Sequence, residues 1–374
     1  MASKALQSFI LSFTPPPVVN PVEYDGLEFK WNMFVFRPAL FKTELYLVGG
    51  VLFYALWSVI NARINSSRAK SWLNAYLPLY EAQFSQPSLR GLTADGSSDY
   101  FNFSTGRRNI ASLHTIFALC PRHDLLQWSY QIGKTFIDLY YRPTDEVQLD
   151  FTLAPGALSS EFVWAVVAKD ELLNVKNDRW DLSFTKTTEN ATLGPTFMVM
   201  SEFADVTDNL LKPLGNVNLL ALLQDPKVRP YFRSLSITDQ PRERPSAPLA
   251  QSEREKHVIL NLTLPSSSSG IEATKDLVSS LFVLIDNLNK INLRPETRNK
   301  LKKIREDLDH NLKVDALKEK KEEIEQDAQD KKAAKKKAEE DRIAKLPAAE
   351  QHKIMEKERK RAIRKSQTKS VVRK

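Results

Sequence analysis

Leu45-Tyr-Leu-Val-Gly-Gly-Val-Leu-Phe-Tyr-Ala-Leu-Trp-Ser-Val-Ile-Asn-Ala62 is an 18-residue run without a charge, closed by Glu44 and Arg63. As a helix rising about 1.5 Å per residue it reaches about 27 Å, close to the hydrocarbon thickness of a thin bilayer. Tyr46 and Trp57 stand near its ends, where interfacial aromatics belong, and Gly49-Gly50 is tolerable in a membrane helix. The run is at the short end for a span, so a buried core helix is the competing reading. It starts too late and is too long for a cleaved signal peptide. We read it as a single N-terminal transmembrane helix over residues 45–62.

Residues 1–41, on the N-terminal side, hold Pro15-Pro16-Pro17, Pro21 and Pro38 and show little periodicity, which predicts a short, mostly irregular leader. Phe29, Trp31, Met33, Phe34 and Phe36 form an aromatic patch just before the span, suited to resting on a membrane surface. Phe34, Phe36, Tyr46, Phe53 and Trp57 are the residues expected at the membrane. Charge does not orient the span: Lys30, Arg37 and Lys42 precede it and Arg63, Arg68 and Lys70 follow it. Glycosylation triplets begin at Asn65, Asn102, Asn190 and Asn261, all after the span, and serve as tests of topology.

Beyond the span, residues 65–292 have the mixed periodicities of an α+β domain, an antiparallel sheet covered by helices. A partly apolar helix is expected from Arg68 to about Pro87, and Ser97–Thr105 has a loop-like composition. Ile110, Leu113, Ile116 and Phe117 predict a helix over 107–119. Asp124 is a plausible N-cap for a helix carrying Leu125, Trp128, Ile132 and Phe136. Val147, Leu149, Phe151 and Leu153 alternate with polar residues, the pattern of a half-buried strand. Strands are also expected at 162–168, 180–184, 231–237 and 257–264, and helices at 202–211, 217–223 and 274–288. Pro241, Pro245 and Pro248 mark residues 240–256 as a flexible loop.

The last part, 293–374, changes character. No Gly or Pro occurs from Glu296 to Leu346, and Leu301, Ile304, Leu308, Leu312 and Leu317 form an apolar stripe at its start. Beyond it the pattern is solvated and held by pairs such as Asp327–Lys331, Lys335–Glu339 and Asp341–Lys345. Heptads are not sustained. Pro347 breaks this long helical arm before a basic tail.

The chain of 374 residues carries a net charge of +8, unevenly placed. Residues 290–374 hold 28 Lys/Arg against 17 Asp/Glu, leaving the rest slightly acidic. Lys353, Lys357, Arg359, Lys360, Arg361, Arg364, Lys365, Lys369, Arg373 and Lys374 are opposed only by Glu356 and Glu358. Such a run neutralises phosphates and binds RNA without base readout, and the tail lacks the aromatics that stack on bases. A merely solvated charge run and binding to anionic lipid are the alternatives.

Catalytic signatures are missing. Gly133-Lys134-Thr135 resembles the end of a phosphate loop, but Trp128 stands where the earlier glycine is required. His114, His123, His257, His310 and His352 are scattered, and the single Cys120 builds neither a thiolate metal site nor an intrachain disulfide. Nothing points to an enzyme. Span, folded domain, arm and cationic tip together suit a bridge from a membrane to a large anionic body such as a ribosome.

Four short motifs occur in order: Gly106-Arg107-Arg108-Asn109, Pro121-Arg122-His123-Asp124-Leu125-Leu126, Glu202-Phe203-Ala204-Asp205-Val206-Thr207-Asp208 and Ser236-Ile237-Thr238-Asp239-Gln240. With the span and the charged arm, they resemble the calumin family of coiled-coil-domain-containing endoplasmic reticulum membrane proteins. The resemblance covers about residues 45–370. It implies a non-catalytic component of the multipass translocon that assists biogenesis of multi-spanning membrane proteins. In that reading the N-terminus is lumenal and the α+β domain cytosolic. The basic helices contact rRNA and proteins at the ribosomal tunnel exit. The Sec channel, other multipass-translocon subunits, membrane lipid and nascent multi-spanning proteins are the further partners, with Phe34, Phe36, Tyr46, Phe53 and Trp57 as candidate translocon contacts. An endoplasmic reticulum tether whose tail binds anionic lipid or an acidic protein is the alternative. Animal members carry a longer acidic lumenal segment associated with calcium; this leader has four acidic residues before the span, so no cofactor, calcium included, is expected.

Overall fold

The computed structural model describes residues 26–31, 34–138, 141–250, 253–344 and 360. A two-stranded hairpin, β1 (Phe29–Trp31) and β2 (Phe34–Phe36), opens the described chain, with Phe29 opposite Phe36 and Trp31 opposite Phe34. A 3-10 turn over Pro38–Phe41 then leads into α1, Lys42–Gln83, a helix of 42 residues. The separate helix expected from Arg68 onward is therefore the second half of the apolar one, with no break between them.

The remaining elements follow in chain order: β3 (Thr93–Asp95), β4 (Asp99–Thr105), β5 (Ile110–Ala118), α2 (Leu125–Ile137), β6 (Glu146–Leu153), β7 (Trp164–Ala168), α3 (Leu172–Asp178), β8 (Lys186–Glu189), β9 (Phe197–Ser201), α4 (Ala204–Leu211), α5 (Leu219–Gln224), β10 (Phe232–Thr238), β11 (His257–Thr263), α6 (Ser268–Asn287) and α7 (Pro295–Ala344). Nine strands form one antiparallel sheet in the order β3-β4-β5-β6-β11-β10-β7-β9-β8. The expected α+β class with an antiparallel sheet holds.

Period-two alternation decides which face of the sheet is dry. Val147, Leu149, Phe151 and Leu153 of β6 join Leu113 and Phe117 of β5, Val258, Leu260 and Leu262 of β11, and Trp164 and Val166 of β7 in one core. The C-terminal half of α1 and the apolar side of α6 close that core. Trp72 stacks on Tyr76 with centroids 3.8 Å apart and meets Phe117 edge-on at 5.4 Å; Phe151 meets Phe282 at 5.4 Å. The buried hydroxyls are matched: Tyr76 with Thr274 at 2.8 Å and Tyr80 with Thr115 at 3.1 Å. On the opposite face Val163, Ala165, Val167, Leu182 and Met200 pack with Leu172 and Val175 of α3 beside β7 and β9.

Three expectations are corrected. The helix expected over 107–119 is strand β5; a register shift between Ile110 and Ser112 puts Ile110 and Leu113 on one face at a spacing of three, which mimics a helical period. The loop expected over 97–105 is strand β4, whose inward positions include Asn102 and Ser104; their amide and hydroxyl reach the Pro87 carbonyl at 3.3 and 2.6 Å. The strand expected at Trp180–Phe184 is a 3-10 turn over Asp181–Phe184, with Trp180 folded edge-on to Phe184 at 4.9 Å. Helix α3, strand β8 and strand β9 are additions to the sequence reading.

The chain divides into two units, one within Met1–Arg244 and Ala250–Lys302, the other within Pro245–Leu249 and Lys303–Lys374. In the second unit α7 is an unbroken helix, carrying exposed Leu317 and Ile324 and an i,i+3 pair, Asp315–Lys318, at 3.6 Å. The pairs Asp327–Lys331, Lys335–Glu339 and Asp341–Lys345 and the break at Pro347 lie outside the described side chains. So does the basic tail, apart from Lys360, which is helical and exposed.

Candidate membrane-facing site

Helix α1 has two environments along one axis. From Leu45 to Ile60 its large apolar side chains stand open: Leu45, Val51, Leu52, Phe53 and Leu56 are all more than half exposed. From Asn65 onward one side sinks into the core, with Ala69, Trp72, Leu73, Tyr76 and Tyr80 buried. An 18-residue window of the first half has a mean hydropathy of 1.7 and no buried share, so this helix is long and apolar enough to cross a membrane. It is the one such helix among the described residues.

Where the environment changes, polar side chains collar the helix. The Asn65 amide donates to the carbonyls of Ser97 and Cys120, both at 3.1 Å, and its oxygen accepts from Arg122 at 3.2 Å. Asp145 gathers the rest: the Arg122 guanidinium forks onto it at 2.8 and 3.0 Å, Arg68 pairs with it, and the Cys120 amide donates at 2.9 Å. Burial would push the Asp145 carboxyl up, but Arg122, the Cys120 amide and Arg68 together hold it below the usual carboxylate range. Burial, then the Asp145 charge, pushes the Cys120 thiol up to about 11. Cys120 is therefore a protonated, unreactive thiol at neutral pH.

Helix α2 leaves this collar. The Asp124 side chain caps it, accepting from the Leu126 and Gln127 amides at 3.0 and 3.2 Å, and the backbone bond from Gln127 is the main reason its carboxyl is held low. Asp124 also accepts from the Tyr54 hydroxyl at 3.3 Å. The Trp57 indole donates to the Arg122 carbonyl at 3.0 Å and lies 6.1 Å from the Trp128 ring. The sequence reading places Leu125, Trp128, Ile132 and Phe136 on this capped helix; in the structure Leu125 and Trp128 are half-buried and Ile132 and Phe136 exposed. The helix and its cap are as expected, but no residue of α2 is buried, and Leu126, Tyr130, Phe136 and Ile137 are 73%, 69%, 82% and 88% exposed. Leu125, Trp128, Gln131, Lys134 and Thr135 are the half-buried positions.

The five aromatics expected at the membrane separate. Phe34 lies in β2, Phe36 is half exposed and stacks on Phe41 at 5.5 Å, and Tyr46 and Phe53 stand open on α1. Trp57 alone is bound into the domain. Sequence reasoning misses the Asn65–Arg122–Asp145 collar, because its members lie far apart in the chain. The two arginines and the lone aspartate carry no local signal.

A polar groove of about 490 Å³ lies on the other side of α2, lined by Cys120, Gln131, Glu146, Arg179, Arg233 and Arg242 among others. Several of its charges are paired. Arg179 forks onto Asp181 and donates to the Ser236 hydroxyl at 2.7 Å; Arg233 pairs with Glu146 and Glu171; Arg242 donates to Gln148 at 2.9 Å. Burial raises Glu146. Gly133-Lys134-Thr135 is a turn of α2, with the Lys134 ammonium 4.2 Å from the Tyr141 ring. Among the described residues no three His, Cys, Asp or Glu side chains are grouped to hold a metal.

The family model described as PAT complex subunit CCDC47 matches residues 40–365, bearing out the family expected from the motifs. An endoplasmic reticulum membrane protein of Schizosaccharomyces pombe, classed as UPF0674, is 27% identical over 345 residues, covering 87% of this chain and 86% of that protein. The PAT complex subunit CCDC47 of Xenopus laevis is 24% identical over 287 residues, covering 72% of this chain and 57% of its own length. The human protein of the same description is equally similar and is covered over 58% of its length. The chain thus spans somewhat more than half of the vertebrate relatives it matches.

Proposed function

The chain belongs to the PAT complex subunit CCDC47 family, and from that premise we propose that it is a non-catalytic endoplasmic reticulum membrane adaptor in the biogenesis of multi-spanning membrane proteins. It crosses the bilayer once through α1, with the N-terminus lumenal and the sheet domain cytosolic. The ribosome docks on the basic residues beyond α7, from Lys353 to Lys374. The Sec channel and the other subunits of the multipass translocon meet the membrane-level surface of α1. The observation that carries the reading is α1 itself: one helix, apolar and open at one end, built into a folded core at the other. The paired charges of the groove support a role without catalysis, since Glu146 and Glu171 are both committed to Arg233.

Charge reversal at Arg359, Lys360, Arg361, Arg364 and Lys365 tests the docking. Co-sedimentation with ribosomes should fall, most visibly at moderate salt, because each lost phosphate contact lowers the salt-dependent part of the affinity. Binding unchanged across a salt series would remove the tail from the ribosome, and flotation of the protein with anionic liposomes through these residues would favour the tether. Topology has its own test. Asn65 and Asn102 are wholly buried and hydrogen-bonded, so a glycan on either is incompatible with this fold. Asn190 sits in a turn, its oxygen accepting from the Thr192 amide at 2.9 Å, and is the informative acceptor. A glycan there puts the sheet domain in the lumen and overturns the proposal.

A further inference from the structure

Helix α2 is inside out relative to the domain that holds it. A surface helix normally turns its apolar stripe to the core and its polar side to water. Here Gln131, Lys134 and Thr135 face the body, Leu125 and Trp128 are half-buried near the start of the helix, and Leu126, Tyr130, Ile132, Phe136 and Ile137 stand exposed. At about 100° per residue, Trp128, Ile132, Phe136, Leu126, Ile137 and Tyr130 sweep an arc of about 200°. Five of those six side chains stand exposed, and Trp57 packs on the sixth, Trp128, at one edge of the arc.

We propose that α2 is an in-plane membrane anchor whose outward face lies among the lipid headgroups and upper acyl chains, beside the exit of α1. The inference rests on the span assigned to α1 above. Two observations choose lipid over a partner protein. The first is depth. The contacts that fix α2 reach Tyr54 and Trp57, residues inside the uncharged run rather than beyond its end at Arg63. At about 1.5 Å per residue, Trp57 lies about 9 Å short of Arg63 along the helix, matching the depth of about 5–10 Å to which interfacial helices sink. Lipid that surrounds the flank of α1 therefore reaches α2 as well. The second is shape. A helix seated in a protein groove needs a narrow stripe of anchors at i, i+3, i+4 and i+7. The outward face of α2 is convex and about twice the width of an ordinary apolar stripe, which a fluid layer covers without specific complementarity. Asp124 and Arg122 do not oppose this placement: the Asp124 carboxylate caps the helix and takes the Tyr54 hydroxyl, and the Arg122 guanidinium turns back to Asp145.

The test uses the full chain with Cys120 replaced by serine or, as a second background, alanine. One cysteine carrying an environment-sensitive fluorophore is introduced as Leu126→Cys, Ile137→Cys, Gln127→Cys or Leu52→Cys. The protein is reconstituted into phosphatidylcholine vesicles without brominated lipid, with acyl chains brominated near the headgroup, or, for the label at 52, with chains brominated near their ends. Labels at 126 and 137 should shift to the blue and lose intensity with brominated lipid, the label at 127 should do neither, and that at 52 reports the span. Quenching at 52 without quenching at 126 and 137 overturns the inference and leaves the span standing. Red emission at those two sites would then mean water. Unquenched blue emission would mean a protein cover, whether a second copy or another subunit. No quenching at 52 removes the span and the anchor with it.

Discussion

The carbonyl oxygen of Arg122 accepts the indole N–H of Trp57 at 3.0 Å, while the guanidinium of the same arginine forks onto Asp145. One residue thus joins the apolar half of α1, the start of α2 and the first turn into β6. Replacing Trp57 by leucine keeps the apolar character but removes the donor and the Trp128 contact, together worth about 1–2 kcal/mol. Amides of α2 should exchange about tenfold faster in native-state hydrogen exchange, since 1.4 kcal/mol is about a factor of ten, while those of β10 and β11 keep their protection. Equal acceleration in α2 and the central strands would mean that Trp57 stabilises the whole domain instead.

Asp145 is the buried acceptor on which two arginines depend. Asp145→Asn removes the charge and leaves both guanidiniums without a counter-ion, a change expected to cost about 3 kcal/mol in denaturant unfolding. The sign with pH follows from its lowered pKa. Stability from this group is present above the unfolded value of about 3.9 and is lost as pH falls through the folded one. The variant should therefore lose part of the acid slope of wild-type stability; an unchanged slope would place that titration elsewhere.

His257 has the opposite sign. Its Nδ1 lies 2.8 Å from Asp150, with Glu255 at 3.6 Å from Nε2. Burial and Arg179 oppose its charge, but the Asp150 hydrogen bond and the two carboxylates outweigh them, so its pKa is raised. The contribution is fully present below the unfolded value of about 6.5 and disappears as pH rises through the folded value. Melting temperatures from about pH 6 to 8.5 should decline in wild type and decline less in His257→Gln.

Arg107 clamps three elements. It donates to Asp286 at 2.9 and 2.7 Å and to Gln83 at 3.0 Å and lies 5.1 Å from the Phe282 ring. Asn109 adds a bond to the same carboxylate at 2.9 Å. A double-mutant cycle of Arg107→Ala and Asp286→Ala should show coupling of about 1 kcal/mol, limited by the partial exposure of Asp286. Additive effects would reduce the fork to a surface contact.

Strands whose inward residues are apolar were legible in the sequence: β6 with Val147, Leu149, Phe151 and Leu153, and β11 with Val258, Leu260 and Leu262. Strand β4 was hidden because Asn102 and Ser104 point inward, and β5 because its bulge imitates a helical spacing. The apolar length of α1 was plain, as was the Asp124 cap, yet the direction in which α2 turns its apolar side was not legible. Periodicity reports that a helix has two faces and not which of them meets protein. The four motifs that point to the family prove to be joints of the fold. Glu202 accepts the Val163 amide at 2.8 Å, Thr207 the Trp164 indole at 3.2 Å, Asp205 the Arg294 amide at 2.9 Å, and Ser236 the Arg179 guanidinium. Such pairings cross long stretches of chain, and a single sequence holds no trace of them.

Helix α1 runs from Trp57 to Trp72 without a glycine or proline, so it offers no swivel between its open apolar half and the sheet. The compass bearing of the sheet around the helix axis is then set by helical phase alone. Inserting a single residue between those two tryptophans would swing everything beyond it by about 100°, presenting a different flank of the sheet to whatever neighbours the apolar half.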